Sequence, residues 1–519
     1  MQPNREVELK LAIDPGEVAR LLASPILAAA AIGPEEVREL RTVYFDDREF
    51  SLAAHGISLR LRRAADRQWQ TVKLEEDAGA AGLFARSEHE VEVPGERPDL
   101  GAVAEEAVRA RLLEVLDGRP LEPVFETVMR RTHRVLRDDV AEWSLDLDEG
   151  EIRSGFASEP ICEVELELRS GPMSHLFEVA LALCDEVALR PGTRSKSERG
   201  HALHTGLRPS AARARPVLLA PDATLKQAIV PIARSCLAQI GDNVEVALEG
   251  ADPEGVHQMR VGVRRMRSLV SLVRRGVPSV RLGRLRGPLR GLGALLGEVR
   301  DLDVFLDQTL APHLARLGED PGLEGLRAGA IALREERRRA LREGLLSPRT
   351  ARLLLELGHW IATLEEQDLG SGDPSVALAR PADRFAESAL TRLLRKVRKQ
   401  VPAALEGSAV DRHALRITLK KLRYASEFFR SLFDPKDAKR FLRRLEALQD
   451  GLGLQNDAET GRQLLQHVLD RASVETLPDL ARGAGFVEGW SARALEKVPR
   501  KLAKQWARFE AVRPFWESA

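Results

Sequence analysis

Residues 6–10, Glu-Val-Glu-Leu-Lys, put two carboxylates and an ammonium on one side of an extended strand, with Val7 and Leu9 on the other. Strand side chains alternate in direction, so the pattern opposes a charged face to an apolar one. Charged groups are seldom turned inward unless they pair with each other or hold a metal. The alternation then recurs along the chain. Arg60 and Arg62 stand two apart, Lys73 follows in Gln70–Leu74, and Arg86, Glu88, Glu90 and Glu92 alternate in the next run. Arg131 and His133, then Asp146 and Asp148, then Glu163, Glu165 and Glu167 continue the series, and Leu59, Leu61, Val72, Leu147, Val164 and Leu166 fill the positions between. A solvent-exposed sheet face explains one such strand, but not a series of this length with aliphatic partners throughout.

A sheet with apolar side chains outside and mixed charges inside has to close around polar contents, and helices or a partner must cover its outer face. A closed tunnel meets that demand. Carboxylates at both ends of the strand series suit a hard divalent cation, Mg²⁺ or Mn²⁺, which prefers oxygen ligands. The arginines and lysines suit a polyanion, because a guanidinium holds phosphate oxygens through two parallel hydrogen bonds.

Residues 1–205 resemble the CYTH domain of the triphosphate tunnel metalloenzymes. The resemblance is carried by E-x-E-x-K (Glu6, Glu8, Lys10), L-R-x-R (Leu59 to Arg62), T-x-K (Thr71 to Lys73), E-x-E-x-E (Glu163, Glu165, Glu167) and Ser195-Lys196, in that order. It implies metal-dependent hydrolysis of a terminal phosphoanhydride, with inorganic triphosphate favoured over thiamine triphosphate or the substrate of a class IV adenylate cyclase. On the resemblance, Glu6, Glu8, Asp146, Asp148, Glu163, Glu165 and Glu167 hold one or two divalent ions. Arg60, Arg62, Lys73, Arg131, His133 and Lys196 clamp the triphosphate, and His133 stands where the family more often places a lysine or arginine. Lys10 contacts phosphate or positions the attacking water, and Glu88 and Glu90 act as outer ligands or as partners of the arginines. The alternative is a protein that grips polyphosphate without hydrolysing it.

The 519 residues are neutral overall, but residues 1–210 hold 27 Lys and Arg against 40 Asp and Glu, and residues 211–519 hold 52 against 39. Halves of −13 and +13 imply different partners for each. Cys162, Cys184 and Cys236 have neither metal-ligand spacing nor an even count, which points away from a disulfide framework and toward a reducing cytoplasm. Ser24 and Pro25 interrupt the apolar stretch Leu21–Ile32, which suits neither a signal peptide nor a membrane span.

Small residues and prolines mark a linker over 206–219, and beyond it strand alternation gives way to helical spacing. His257, Arg260, Arg264, Arg265 and Arg267 are matched 156 residues later by His413, Arg416, Lys420, Lys421 and Arg423, as are Gly297 by Gly453 and Asp301 by Asp457. A gap-free offset of this extent indicates duplication. The expected fold is therefore α+β: an N-terminal closed antiparallel β tunnel with flanking helices, then an all-α domain over 220–515. That domain would comprise two duplicated helical bundles, about 220–366 and 384–515, joined across Gln367–Asp383.

At about 100° per residue, His257, Arg260, Arg264 and Arg267 share an arc of roughly 80°. This half resembles the CHAD, or conserved histidine α-helical, domain through H-x-x-R-x-x-x-R-R-x-R at 257–267, H-x-x-R-x-x-x-K-K-x-R at 413–423, and Arg300-Asp301 with Asn456-Asp457. The resemblance implies that both basic sets bind inorganic polyphosphate. A solvated face or a set of ion pairs is the competing reading of each stripe. Nucleic acid is not the expected polyanion: aromatic content is 4%, with two tyrosines, and single-strand binders interleave stacking surfaces with their cations. No membrane partner is expected.

Overall fold

The computed structural model describes residues 5–64, 67–77, 81–277, 280–367, 373–406, 408–496 and 498–517. The chain divides into two compact units, residues 1–210 with 346–366 and residues 211–345 with 367–519.

In the first unit the alternating segments become β1 (Arg5–Ile13), β2 (Glu36–Asp46), β3 (Ile57–Ala64), β4 (Arg67–Asp77), β5 (Leu83–Glu92), β6 (Glu122–Arg137), β7 (Glu142–Ser154), β8 (Ala157–Ser170) and β9 (Leu189–Pro191). Neighbours follow the order β5-β4-β3-β2-β6-β7-β8-β1, and β1 pairs back onto β5, so eight strands close into a barrel. Strand β9 takes over the same edge of β1 at Leu11–Ile13, past the end of β5. Every pairing is antiparallel, and opposed residues share a face. Lys10 faces Glu165, Arg131 faces Asp148, and Asp148 faces Glu163, so the register gathers the charges on the inside. A slip of one residue in any strand would expel its charges to the apolar exterior.

The aliphatic exterior is covered as an inside-out sheet requires. Leu59, Leu61 and Val72 pack beneath Val108, Leu112, Val115 and Leu116 of helix Glu106–Leu116. Each fully buried aliphatic side chain contributes at most about 1.5–3 kcal/mol. Elsewhere helix Ser174–Leu183 buries Phe177, and helix Pro348–Glu366 lies so close to it that a Cβ on Gly358 would come 2.4 Å from the Phe177 ring. The sequence places Pro348–Glu366 at the end of the first helical bundle, whereas in the fold it packs with the tunnel.

The lumen is not charged along its whole length. Leu40, Met129 and Ile161 lie two positions from Arg38, Arg131 and Glu163 and point the same way; with Phe125 and Ile152 they fill one end with apolar side chains. Helix Lys196–Thr205 closes that end with Leu203, and a Cβ on Gly200 would lie 2.0 Å from the Phe125 ring.

The second unit shows the duplication in its packing. Helices Leu225–Gly241, Pro253–Gly276 and Val280–Val304 are followed by Ala382–Glu406, Ala409–Phe429 and Pro435–Leu469, each starting within one residue of a 156-residue offset. In both sets the middle helix packs against the other two, and the two middle helices touch. Caps set the starts: Thr224 and Gln227 exchange hydrogen bonds at one, and the Asp252 carboxylate accepts the Glu254 N–H at another. Within the expected Gln367–Asp383 connection, residues 368–372 lie outside the described residues and Asp373–Ala379 is helical. No described helix is long and apolar enough to cross a membrane, and all three cysteines are unpaired.

Candidate functional site

The charged part of the lumen is a cavity of about 690 Å³. Strand β1 supplies Glu6, Glu8 and Lys10 to its wall, and β3 and β4 supply Arg60, Arg62 and Lys73. Glu88 and Glu90 enter from β5, Arg131 from β6, Asp146 from β7, and Glu165 and Glu167 from β8. Lys196 comes from a helix instead: Ser195 caps helix Lys196–Thr205 through a reciprocal bond with Glu198, which aims the first side chain of the helix into the barrel. Lys10 is threaded between two glycines, its N–H donating to the Gly82 carbonyl and its carbonyl accepting from the Gly192 N–H.

Two lysines and an arginine converge on three carboxylates. Lys10 Nζ lies 3.2 Å from Glu163 and 2.9 Å from Glu165. Lys196 Nζ lies 2.7 Å from Asp148 and 2.9 Å from Glu165, and it also pairs with Glu163. Arg131 grips both Asp148 oxygens at 2.6 Å and reaches Asp146 at 2.6 Å and Glu165 at 2.8 Å. Burial opposes ionisation of all three acids, yet these cations keep Glu163 and Glu165 below the ordinary carboxylate range and hold Asp148 at about 2. Single oxygens of Asp148, Glu163 and Glu165 lie within 4.8 Å of one another, an all-oxygen donor set that fits a hard divalent cation.

Compensation fails elsewhere in the cavity, with both signs. Burial, then Glu6 and Asp146, push the Glu167 carboxyl up to about 7. Burial, then Glu165 and Glu6, raise Glu8 as well. Arg62 shows the opposite strain: burial, then Arg60 and Arg131, lower it to about 10. Among the described residues it makes no ion pair, only a 3.3 Å hydrogen bond to Thr42. Lys73 is better served, 2.6 Å from Glu6 and 3.4 Å from Glu88, and Glu88 also lies 3.4 Å from Arg60. Glu90 sits exposed at the rim, accepting from Thr71. His133 does not line the cavity; its Nδ1 lies 2.6 Å from Asp146 and its other nitrogen 3.4 Å from Arg169.

Two residues, Tyr44 and Arg199, join the site from outside the alternating pattern, and Arg86, which belongs to that pattern, joins it without an expected role. Tyr44 lines the cavity stacked on Phe125 at 4.4 Å, and despite burial Arg60 and Arg62 lower its phenol pKa. Arg86 reaches Glu8 at 3.6 Å, continuing the alternation of β5. Arg199, one helical turn after Lys196, ties Glu163 at 3.2 Å to Glu159 at 2.6 Å.

In the second unit, Arg260, Arg264, Arg416 and Lys420 lie close enough to perturb one another. Burial, then Arg264, Arg416 and Arg260, push the Lys420 ammonium down to about 6. Arg260 keeps one counter-ion, Asp301 at 3.2 Å, and Arg264 Nε is buried without a hydrogen-bond partner. Burial, then Arg300, lower His257, while His413 is exposed. Arg265 and Arg423 are engaged inside the bundles, Arg265 with Gln239 at 2.8 Å and over the Phe428 ring, Arg423 with Glu427 at 2.8 Å. Arg267 and Lys421 lie near each other among further cations. Asp457 acts on Arg416; the side chain of Asn456 lies outside the described residues.

Comparison with known families matches the two halves separately. Residues 4–201 match the CYTH domain and residues 231–466 the CHAD domain. The chain is similar to the CHAD domain of the plant Ricinus communis, at 32% identity and a TM-score of 0.51, over 59% of this chain and 98% of that one. It is 28% identical over 199 residues to the inorganic triphosphatase of Haemophilus influenzae, covering 38% of this chain and 55% of that protein's length. An uncharacterised protein of Mycobacterium tuberculosis is 27% identical over 469 residues, 82% of this chain and 83% of the relative. Barrel, helical repeat and both matches agree that the chain carries a CYTH domain over residues 4–201 and belongs to the CHAD family through the domain that follows over residues 231–466.

Proposed function

We propose that the tunnel hydrolyses inorganic triphosphate to pyrophosphate and phosphate with Mg²⁺ or Mn²⁺, and that the basic stripes of the helical unit bind inorganic polyphosphate. Uncompensated charge of both signs inside one cavity carries this reading. Among the described residues Arg62 is a half-buried cation without an ion pair, and Glu8, buried, and Glu167, half-buried, are carboxylates that resist ionisation. A polyphosphate bound together with a divalent cation relieves both strains at once.

Asp148, Glu163 and Glu165 would hold the cation, with Glu8 and Glu167 beside them on the same face. When bound, it neutralises phosphate oxygens and polarises the terminal phosphorus. Arg60, Arg62 and Lys73 take the anion, and Glu88 keeps Arg60 and Lys73 aimed at it. Water attacks the terminal phosphorus and the bond to the departing pyrophosphate breaks; the protein's part in that loose transition state is positioning and electrostatic stabilisation. Lys10 and Lys196 keep the acidic cluster ionised. The similarity to an inorganic triphosphatase supports triphosphate as the substrate.

Phosphate release from triphosphate, long-chain polyphosphate, ATP and thiamine triphosphate, with and without each metal, tests the proposal. Triphosphate should turn over fastest, and only with metal. No hydrolysis of any of the four would favour a binding protein.

A further inference from the structure

A second group of cations in the helical unit lies outside the tunnel and, apart from Lys421, outside the histidine-bearing stripes. Arg275 ends helix Pro253–Gly276, Arg380 precedes helix Ala382–Glu406, and Arg392 and Lys396 lie along that helix. They meet Lys421 of helix Ala409–Phe429 around two recesses of about 40 and 190 Å³ that share Arg275 and Arg392. Arg384 at the rim is paired with Glu387 at 3.2 Å. Among the described residues no carboxylate pairs with the other five cations, and Nε and Nη2 of Arg380 and Nε of Arg392 are buried without a hydrogen-bond partner.

The recess is built rather than incidental. The Arg380 carbonyl accepts the Leu225 N–H at 2.8 Å, in a bridge where Thr224 pairs with Pro381. Its guanidinium lies over the Phe385 ring at 4.7 Å and against Gly276, where a Cβ would stand 2.3 Å from Nη2. A side chain at that position would displace the guanidinium from its place over the ring. Phe385 and Phe428 are buried at 5% and 3% exposure, so the recess offers no aromatic face on which a nucleobase could stack. Several forked donors around a small volume match the tetrahedral acceptor array of a phosphate.

We propose that Arg275, Arg380, Arg392, Lys396 and Lys421 form a separate anion site for a compact phosphate group, either free orthophosphate or pyrophosphate or the terminal phosphate of a longer chain. The site does not rest on the tunnel chemistry, and it shares only Lys421 with the stripes, a residue that the variants below leave in place. Burial, then Arg275, lowers the proton affinity of Arg392, as crowding without a counter-ion requires.

Calorimetric titration of pyrophosphate and orthophosphate into the full-length chain, with divalent metal chelated, reads the site directly. Arg275→Gln, Arg392→Gln and Lys396→Gln together should remove one binding component or weaken it at least tenfold. Lys501→Gln, Lys504→Gln and Arg508→Gln, which take the same charge from an exposed helix face, should leave that component in place. Arg275→Lys with Arg392→Lys should retain part of it, which separates a charge requirement from misfolding. A loss confined to the small anions marks a free phosphate site. Loss of affinity for open-ended polyphosphate but not for end-capped chains marks a terminus site. Titrations of the glutamine variant that superimpose on wild type with every probe, or an equal loss in the control variant, would overturn the proposal.

Discussion

Glu167 and Arg62 show how a single residue reports the purpose of the cavity. The Glu167 pKa is raised from 4.5 to about 7 in the folded chain, so the stability it contributes is full below pH 4.5 and is lost as pH rises through about 7. With metal chelated, Glu167→Gln should equal wild type in stability at pH 4.5 and exceed it at pH 8 by at most about 3 kcal/mol. Adding Mg²⁺ or Mn²⁺ at pH 8 should stabilise wild type and leave the variant behind; denaturant melts at the two pH values check both statements. Equal stability at pH 8 without metal would mean that the charge is already compensated. Arg62→Ala should keep or raise the melting temperature, because no ion pair is broken, while lowering kcat/KM for triphosphate by about 10²–10³. Glu163→Gln is a less clean probe than its strand position suggests. Lys10, Lys196 and Arg199 all lie on that carboxylate, and stripping the partner from a buried cation costs roughly 3–5 kcal/mol.

Arg62, Glu167 and the rest of the strand-borne set were readable from sequence because a period of two needs only the strand itself, and pairing then delivers neighbours to one lumen. What alternation cannot show is which element closes the lumen. Arg199 lies in no strand, Tyr44 reads as one more aromatic in an ordinary β2 pattern, and the apolar end continues the faces of β6, β7 and β8 without a break. Helix Lys196–Thr205 carries two of the lumen's cationic contacts, Lys196 and Arg199, and it seats through Gly200 on the Phe125 ring. Gly200→Ala must push the helix outward or displace the ring, an overpacking that costs about 1–3 kcal/mol. Because the helix start moves with it, turnover of triphosphate should fall at least tenfold. Gly206→Ala provides the control: its added Cβ meets nothing within 4 Å, although φ of +66° strains the backbone, so it should lower stability and leave kcat near wild type. Equal activity in the two variants would detach the helix seat from catalysis.

For the whole molecule, the +13 of the second half includes Arg260, Arg264 and Arg416, whose charges, after burial, already depress the Lys420 ammonium. Lys420 at about 6 is largely neutral at pH 7.5, and a bound polyanion restores its proton affinity. Polyphosphate binding should therefore take up as much as one proton at pH 7.5 and weaken as pH rises, read by calorimetry in buffers of differing ionisation enthalpy. Binding without proton uptake would mean that the anion does not reach Lys420. The duplication itself was readable as a constant offset, because the repeated helices kept their starting positions to within one residue and their charge type. The boundary was not, because Pro348–Glu366 is an ordinary amphipathic helix in sequence, and only three-dimensional packing assigns it to the tunnel. There His359 lies 3.0 Å from Glu178, Arg352 2.5 Å from Asp185, and Leu353, Leu357, Ile361 and Leu364 are buried. Cutting the chain after residue 210 strips this helix from helix Ser174–Leu183. At about 1.5–3 kcal/mol for each buried aliphatic, the loss rivals the 5–15 kcal/mol of a typical domain. Residues 1–210 alone should bind a hydrophobic dye and melt well below the same residues joined by a flexible linker to residues 346–366. If both versions melt together, the helix contributes nothing to the tunnel, and the 206–219 linker is the true boundary.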